Sequence, residues 1–432
     1  MMTSGFMFHG KTIALGVTGG VAAYRAADLT RELYRRGAKR VVALMTPAAE
    51  KFLAPLTLEA LTREPVHREA LAMDAHGTPQ HIALAQSADA LLIHPATANT
   101  IAKLAHGMAD DAVTTAAIAF TGKPLLIAPA MNTRMWLNPM VVRNLDTLRK
   151  VAGATVIEPT NGLLACGETG DGHLAQMETV LQWLYRSLHP ERDSYAGVRA
   201  LVTAGGTAES IDGVRLLSNR SSGKMGVAMA DELFAMGADV TLVATTSTSS
   251  GLNLADRPYQ VIFVDSAAAM AKRLQELWPS QHLLAMAAAI ADFRAQATSP
   301  AKLRRVSTLT LELESTPDIL AMLAARKKPG QVMVGFAAES GDLPQKMREK
   351  LVRKGVDAII GNDVSRADIA FDSDDNEVTL LFANGESQFF PKAPKPQIAR
   401  QALMRLRQRF WPDLPLDEAL LEQVARGIGC TL

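Results

Sequence analysis

Apolar residues in this chain come in short unbroken runs, separated by longer stretches in which they recur every three or four positions. The run from Lys11 to Gly16 ends in a glycine-rich turn, and Val21 to Arg36 then carries apolar residues at helical spacing, so strand, turn and helix follow in order. Val41 to Met45, Ala90 to Ile93 and Pro124 to Ile127 repeat the strand signature, with helical stretches such as Ala98 to Ala105 between them. Strands without polar alternation, each followed by a helix, predict a mostly parallel sheet covered by helices.

The segment Arg186 to Gly197, RSLHPERDSYAG, is polar, charged and aperiodic, and it interrupts this pattern as a linker does. A second strand and glycine turn begins at Arg199 in RALVTAGGT, followed by a helix over Lys224 to Gly237 and a strand over Asp239 to Ala244. Further strands are predicted at Gln260 to Val264, His282 to Met286, Gln331 to Val334 and Ala358 to Ile360. Val378 to Phe390, with Asn384-Gly385 between alternating runs, predicts a terminal hairpin. The α/β pattern therefore starts twice, giving domains 1–187 and 198–432 joined by a linker at 188–197. The length of 432 residues agrees, since it exceeds what one core usually serves. The two glycine turns show similar architecture without proving duplication.

Charge narrows the partners: 45 Lys plus Arg against 44 Asp plus Glu leave no global field for nucleic acid or an anionic membrane, so anions need local sites. The opening MMTSGFMFHGK has no basic segment followed by a long apolar run, and no later stretch reaches about 18 uninterrupted apolar residues, which predicts neither export signal nor membrane span. Cys166 and Cys430 lie far apart and suit neither a disulfide framework nor metal-ligand spacing, as in a reduced cytoplasmic setting.

Three strand ends carry chemistry in the first half. Gly16-Val17-Thr18-Gly19-Gly20 offers bare amides at a helix start, where a phosphate binds, and it lacks the GxGxxG spacing of a dinucleotide site. Glycines also end strands for geometric reasons alone. Pro95-Ala96-Thr97-Ala98-Asn99-Thr100 serves equally as ligand contact or helix cap. Pro129 to Trp136, PAMNTRMW, combines amide, thioether and indole groups that a plain core loop seldom needs.

PAMNTRMW resembles the PxMNxxMW signature of flavin-dependent cysteine decarboxylases, and GVTGGVAAY and PATANTIAKLAHGMADD resemble that family's flavin-binding segments. The resemblance implies a flavodoxin/Rossmann-like flavoprotein domain holding FMN, with Gly19, Gly20, Thr46, Thr97, Asn99 and Met131 at the cofactor. It implies that His81 is the base and Asn132 the group that holds the departing carboxylate. Asn161 to Gly172, NGLLACGETGDG, resembles the family's lid, whose cysteine, here Cys166, supplies a proton; where relatives continue with Arg-Met, this chain has His173-Leu174. The implied sequence is oxidation of the cysteinyl end to a thioaldehyde, decarboxylation to an enethiolate, and return of hydride and a proton, with no net redox change.

In the second half, Leu217 to Gly226 places hydroxyls, amides, Arg220 and Lys224 before a helix without forming a P-loop, and a solvated serine-rich cap has the same composition. SNRSSGKMG resembles phosphopantothenate–cysteine ligases, as do AAIADF (288–293), PDI (317–319), GFAAE (335–339) and GNDV (361–364), in that order. The resemblance implies a Rossmann-like ligase domain in which Asp292, Lys302, Phe336, Lys350 and Lys354 contact CTP. Met286, Ala287, Ala288, Pro317, Asp318, Ile319 and Leu320 would line its base and sugar pocket, with Arg215 and the catalytic Asn219 serving the acyl substrate. Lys350 and Lys354, four apart, share a helix face. Mg²⁺ is expected on the triphosphate, because it neutralises charge and binds substrate oxygens more than protein cages, and no dedicated metal-ligand cluster is visible. Relatives carry Arg-Glu-Pro and Asp-Pro where this chain has Ala208, Ser210 and Gly213.

Together the halves resemble the bifunctional bacterial enzymes that join cysteine to 4′-phosphopantothenate through an acyl-cytidylate and decarboxylate the product to 4′-phosphopantetheine for coenzyme A. Their assembly implies a dodecamer of trimers and dimers. The competing readings are a halotolerance-type flavin-binding regulatory protein and a ligase half reduced to a nucleotide-binding module.

Overall fold

The computed structural model describes residues 7–74, 76–163, 167–248, 252–304, 307–369 and 372–412. The chain divides into two compact units, Met1–Pro190 and Glu191–Leu432.

The first unit runs β1 (Thr12–Val17), α1 (Arg25–Arg35), β2 (Arg40–Met45), α2 (Pro55–Thr62), α3 (Gln80–Ser87), β3 (Ala90–Ala96), α4 (Ala98–Ala105), α5 (Ala112–Ala119), β4 (Leu125–Pro129), α6 (Thr133–Trp136), α7 (Pro139–Val151), β5 (Thr155–Val156), β6 (Thr160–Leu163), β7 (Thr169–His173) and α8 (Met177–Leu188). Strands β2-β1-β3-β4-β5 form one parallel sheet in that order. Every residue of β1, β3 and β4 is buried, which is why these strands read as unbroken apolar runs. On one face, Ala14, Leu44, Leu91, Ile93 and Ile127 meet Leu84 of α3, Ile101 and Leu104 of α4, Val113 of α5 and Leu145 and Leu148 of α7. The alternate residues Ile13, Leu15 and Leu92 are equally buried.

The helix expected from Val21 begins instead as a 3₁₀ turn over Val21–Tyr24 and becomes α-helical at Arg25. Helical spacing cannot tell these apart, because both helices put positions three apart on one side. The glycine-rich stretch after β5 has antiparallel stems, β6 and β7; Gly172 accepts from Met131 N (3.0 Å) and Asp171 O accepts from Thr133 Oγ1 (2.6 Å), tying them to the loop after β4.

The second unit runs β8 (Arg199–Ala204), β9 (Ala208–Ser210), β10 (Leu216–Ser218), α9 (Lys224–Ala235), β11 (Asp239–Thr245), β12 (Gln260–Val264), α10 (Ala267–Leu277), β13 (Leu283–Met286), β14 (Phe293–Ala295), β15 (Leu313–Ser315), α11 (Ile319–Ala324), β16 (Val332–Glu339), α12 (Leu343–Lys354), β17 (Ala358–Asp363), β18 (Asp375–Phe382), β19 (Ser387–Pro394) and α13 (Lys395–Phe410). Its sheet has the order β12-β11-β8-β13-β16-β17-β18-β19, parallel through β17 and antiparallel thereafter. Met270 and Leu274 of α10, Leu320 and Leu323 of α11, and Met347 and Leu351 of α12 cover one face.

Two expectations are corrected here. The β18–β19 hairpin is not terminal, because α13 follows it and buries Ile398, Ala399, Ala402, Leu403 and Leu406 at helical spacing. Strand β16 runs on to Glu339 rather than stopping at Val334: Gly335 and the alanines after it are weak strand formers, and the parallel partner β17 holds them in the ladder.

The first unit thus has the doubly wound flavodoxin-like order, and the second the Rossmann order with an antiparallel edge added.

Candidate active sites

In sheets of this kind the crevice opens beyond the carboxyl ends of the strands, where neighbouring crossovers leave in opposite directions. That point falls between β1 and β3 in the first unit and between β8 and β13 in the second, and a cleft occupies each.

The first cleft has a volume of about 990 Å³, and Gly19, Gly20, Thr46, Thr97, Asn99, Met131 and Asn132 all line it. The two glycines have different causes. A methyl group at Gly19 would lie 2.4 Å from Ala48 Cβ, so Gly19 is imposed by the packing of the loop after β2; at Gly20 the nearest atom, Thr97 Cγ2, is 3.6 Å away. Thr18, fully buried, donates through Oγ1 to Pro95 O (2.7 Å) and accepts from Thr97 N (3.0 Å), fixing the β1 and β3 loops to each other. Thr97 caps α4 by accepting from Thr100 N (3.3 Å), and the first amides of that helix, which have no intrahelical acceptor, lie at the cleft. Asn132 caps α6, its Oδ1 accepting from Arg134 N (2.9 Å).

Charge enters this cleft at Arg25 and in one cluster, where Lys103 Nζ lies 2.7 Å from Asp110 and 3.2 Å from Asp111. Its hydrogen bond to Asp110 raises the lysine above its usual range and holds the Asp110 carboxyl below its own. His173, at the end of β7, also lines the cleft, with Nδ1 3.0 Å from Leu174 O. His81, the second residue of α3, is not on this wall; its Nδ1 is buried without a hydrogen-bond partner. Cys166 lies outside the described residues.

The second cleft, about 600 Å³, is lined by Asn219, Met286, Ala287, Ala288, Asp292, Pro317, Asp318, Ile319, Leu320, Phe336, Lys350 and Lys354. Hydroxyls inside the fold hold its loops: Thr203 Oγ1 accepts from Ala288 N (3.0 Å) and Thr207 Oγ1 from Ala291 N (2.9 Å). Asn219 Nδ2 donates to Ile290 O (2.8 Å), which orients the amide. Lys350 Nζ donates to Phe336 O (2.8 Å), and burial pushes its ammonium below the usual lysine range. Lys354 pairs with Asp318 at 2.5 Å.

Arg215 and Lys302 do not line this cleft. They lie by one another instead: Arg215 Nη1 pairs with Asp212 (2.8 Å) and reaches Leu303 O (3.4 Å), while Lys302 is exposed. Among the cleft residues that escaped the reading of the second half are two cations, Arg353 beside Lys354 and Lys395 at the start of α13. No motif surrounds Lys395, and only its burial inside a cavity draws attention to it.

Among the described residues, no group of three His, Cys, Asp or Glu side chains is arranged to hold a metal, and no helix is long and apolar enough to cross a membrane.

Residues 3–189 match the flavoprotein family, and residues 195–410 match the C-terminal domain of the DNA/pantothenate metabolism flavoproteins. The chain is 40% identical over 403 residues to the coenzyme A biosynthesis bifunctional protein CoaBC of Vibrio cholerae, covering 92% of this chain and 98% of that one. It is 37% identical over 405 residues to the protein of the same name from Bacillus subtilis, covering 93% and 97%. A solved structure of a PPC decarboxylase cysteine-to-serine mutant complexed with pantothenoylaminoethenethiol is similar at 31% identity and a TM-score of 0.37, over 40% of this chain and 96% of that one. The chain therefore belongs to the family of coenzyme A biosynthesis bifunctional proteins, enzymes with a flavoprotein decarboxylase half and a ligase half.

Proposed function

We propose that the second unit activates the carboxylate of 4′-phosphopantothenate with CTP, that the amine of cysteine displaces CMP from the acyl-cytidylate, and that the first unit decarboxylates the resulting phosphopantothenoylcysteine with FMN. The product is 4′-phosphopantetheine. The observation that carries this reading is the pair of clefts at two switch points of one chain, each walled by the residue types its own chemistry needs.

The residues of the first cleft fit a mononucleotide: the amides of α4 with Thr97 and Asn99 suit one phosphate, and the remaining volume suits a ring system beside Met131, with Gly19, Gly20 and Thr46 closing the loops around it. When bound, FMN supplies the electron sink that a cysteinyl carbon lacks, so that carbon dioxide can leave. Asn132 holds the departing carboxylate with a neutral amide, which avoids stabilising the anion that must be lost. His81 takes a proton from the thiol-bearing end, and Cys166 returns one at the close. Because His81 is not on the cleft wall of its own chain, we assign it to the cleft of a neighbouring copy in a trimer, with dimeric ligase units linking trimers into a dodecamer.

In the second cleft Asn219 orients the acyl-cytidylate through its fixed amide, and Lys350 and Lys354 neutralise phosphate oxygens. Asp292 and Phe336, with residues 286–288 and 317–320, enclose the base and sugar. Lys302 and Arg215 serve CTP and the acyl substrate from the neighbouring 212–215 and 302–303 segments. Mg²⁺ enters as its complex with CTP, since no protein cage for it is built among the described residues. Two cysteines far apart in sequence suit the cytoplasm. A regulatory flavin-binding role is less supported, because the relatives matching nearly the whole chain are biosynthetic.

Incubating the purified protein with phosphopantothenate, cysteine, Mg²⁺ and CTP, and following diphosphate, CMP and carbon dioxide separately, tests both halves. All three products are expected. Absence of diphosphate rejects the ligase assignment, and diphosphate without carbon dioxide rejects the decarboxylase assignment.

A further inference from the structure

The nucleotide cleft contains two separate basic centres. Lys350 feels Glu339, Lys354, Arg353 and Asp292, whereas Lys395 feels Lys224 and the aspartates at 372, 374 and 375. The first centre belongs to the motifs already described; the second pairs Lys224 of SNRSSGKMG with Lys395, which no motif marks and which packing brings there. Lys224 is the first residue of α9 and Lys395 the first of α13, the two helices pack against each other, and both lysines line the cleft.

This arrangement is costly for the fold. Lys395 is only 5% exposed, it stands at the positive end of a helix, and a second ammonium is near enough to act on it. The 372–375 loop supplies oxygens to both lysines. Lys224 Nζ donates to Asp372 O (2.6 Å) and Asp374 Oδ1 (2.8 Å), and Lys395 Nζ donates to Ser373 O. Asn376, also 5% exposed, lines the same end of the cleft. Oxygens of one loop thus sit on a pair of cations that face a cavity, and a polyanion entering that cavity has the chemistry to take their place.

We propose that Lys395, together with Lys224, binds the terminal phosphates of the nucleoside triphosphate and holds the diphosphate as it leaves. The inference rests on the CTP-dependent ligase reading. In that step a carboxylate oxygen of phosphopantothenate bonds to the α-phosphorus while the bond from that phosphorus to the bridging oxygen breaks. The bridging oxygen keeps the electron pair, and diphosphate departs with the added negative charge. Two ammonium groups at that end neutralise charge that grows as the bond breaks.

The test uses the full-length protein, with steady-state kinetics in CTP and in phosphopantothenate and with inorganic diphosphate as an inhibitor. Lys395→Met is expected to raise the KM for CTP and the inhibition constant of diphosphate each by about 30-fold, leaving the KM for phosphopantothenate within about twofold. Lys395→Arg, which keeps the charge, should recover most of the loss. Decarboxylation of phosphopantothenoylcysteine by the same preparation checks that the chain is intact.

Unchanged CTP and diphosphate constants in Lys395→Met overturn the proposal. So does a change confined to phosphopantothenate, which assigns the pair to that substrate's phosphate, or an arginine variant as impaired as the methionine one. If Lys395→Met does not fold, the wild type decides: diphosphate should shield Lys395 and Lys224 from an amine-acylating reagent read by mass spectrometry, and equal labelling with and without it overturns the assignment. A wild type that releases no diphosphate from CTP at all instead rejects the ligase reading on which the inference stands.

Discussion

In the first unit the cleft at the turn of strand order is walled largely by apolar side chains, with hydroxyls, amides and a helix terminus among them, and its Arg25 and Lys103 stand against Asp110 and Asp111. In the second unit the equivalent place carries Lys224, Lys350, Arg353, Lys354 and Lys395. Both sheets open a crevice where the strand order reverses, although the orders themselves differ, and the difference in charge follows what each site is proposed to hold. The mononucleotide proposed for the first cleft would be retained by fixed dipoles that ask for no reorganisation. The triphosphate proposed for the second would bring several charges and lose diphosphate, and cations already held in place would meet the charge where it grows.

The sharpest way to break this comparison is to damage one cleft and read the other. Asn219→Asp puts a carboxylate beside Ile290 O, in place of the amide proposed to orient the acyl-cytidylate, and ligase turnover should fall by about two to three orders of magnitude. Decarboxylation of added phosphopantothenoylcysteine should proceed at the wild-type rate. Parallel loss of both activities in one preparation would mean that the clefts are not independent.

Cys166→Ser is the converse experiment. A serine hydroxyl is far less acidic than a thiol, so carbon dioxide should still be released while 4′-phosphopantetheine forms about a hundredfold more slowly. Anaerobic single-turnover measurement of both products distinguishes this from a general loss, and wild-type product formation would remove Cys166 from the chemistry.

A third prediction concerns acid. His94 in β3 is 1% exposed, and burial, with the Arg25 charge adding to it, holds its imidazole down at about 4 against an ordinary 6.5. Between these values the unfolded chain takes up a proton that the folded chain does not. Stability is therefore complete above about pH 6.5 and lost as pH falls toward 4, by about 3 kcal/mol in all at about 1.4 kcal/mol per pH unit. Denaturant unfolding of the first unit at pH 7 and pH 4.5 should show this difference in the wild type and a much smaller one in His94→Gln.

The smallest effect addresses one of the departures from the relatives. A methyl group at Gly213 would lie 2.6 Å from Pro300 O, so Gly213→Ala must push the 299–301 segment away from the Asp212–Arg215 turn. A loss of about 1 kcal/mol in the second unit is expected, with the flavin-binding half unchanged. An unchanged melting transition would show that the segment yields freely.

Much of this was legible along the chain. Helix α4 and strand β12 were read with their observed bounds, because Thr97 supplies a cap and Gln260 to Val264 is an isolated apolar run. The β9–β10 and β14–β15 ribbons were not, since strands of three residues are too short to show a period. Among the described residues, those predicted for the first cleft line it apart from His81, and in the second Arg215 and Lys302 stand off the wall. In each case a motif names a residue type and leaves its address in the fold open.

The sequence by itself determined two mostly parallel sheets, two glycine turns and the segments that bear the chemistry, because unbroken apolar runs with polar, helix-forming intervals have few ways to be buried. Tertiary structure decided the strand orders, and with them where the crevices open. It also decided that Gly19 answers to Ala48, that Thr18 joins two loops, and that Lys395 comes to lie beside Lys224. These outcomes depend on packing between elements far apart in the chain, and no window of neighbouring residues contains both partners.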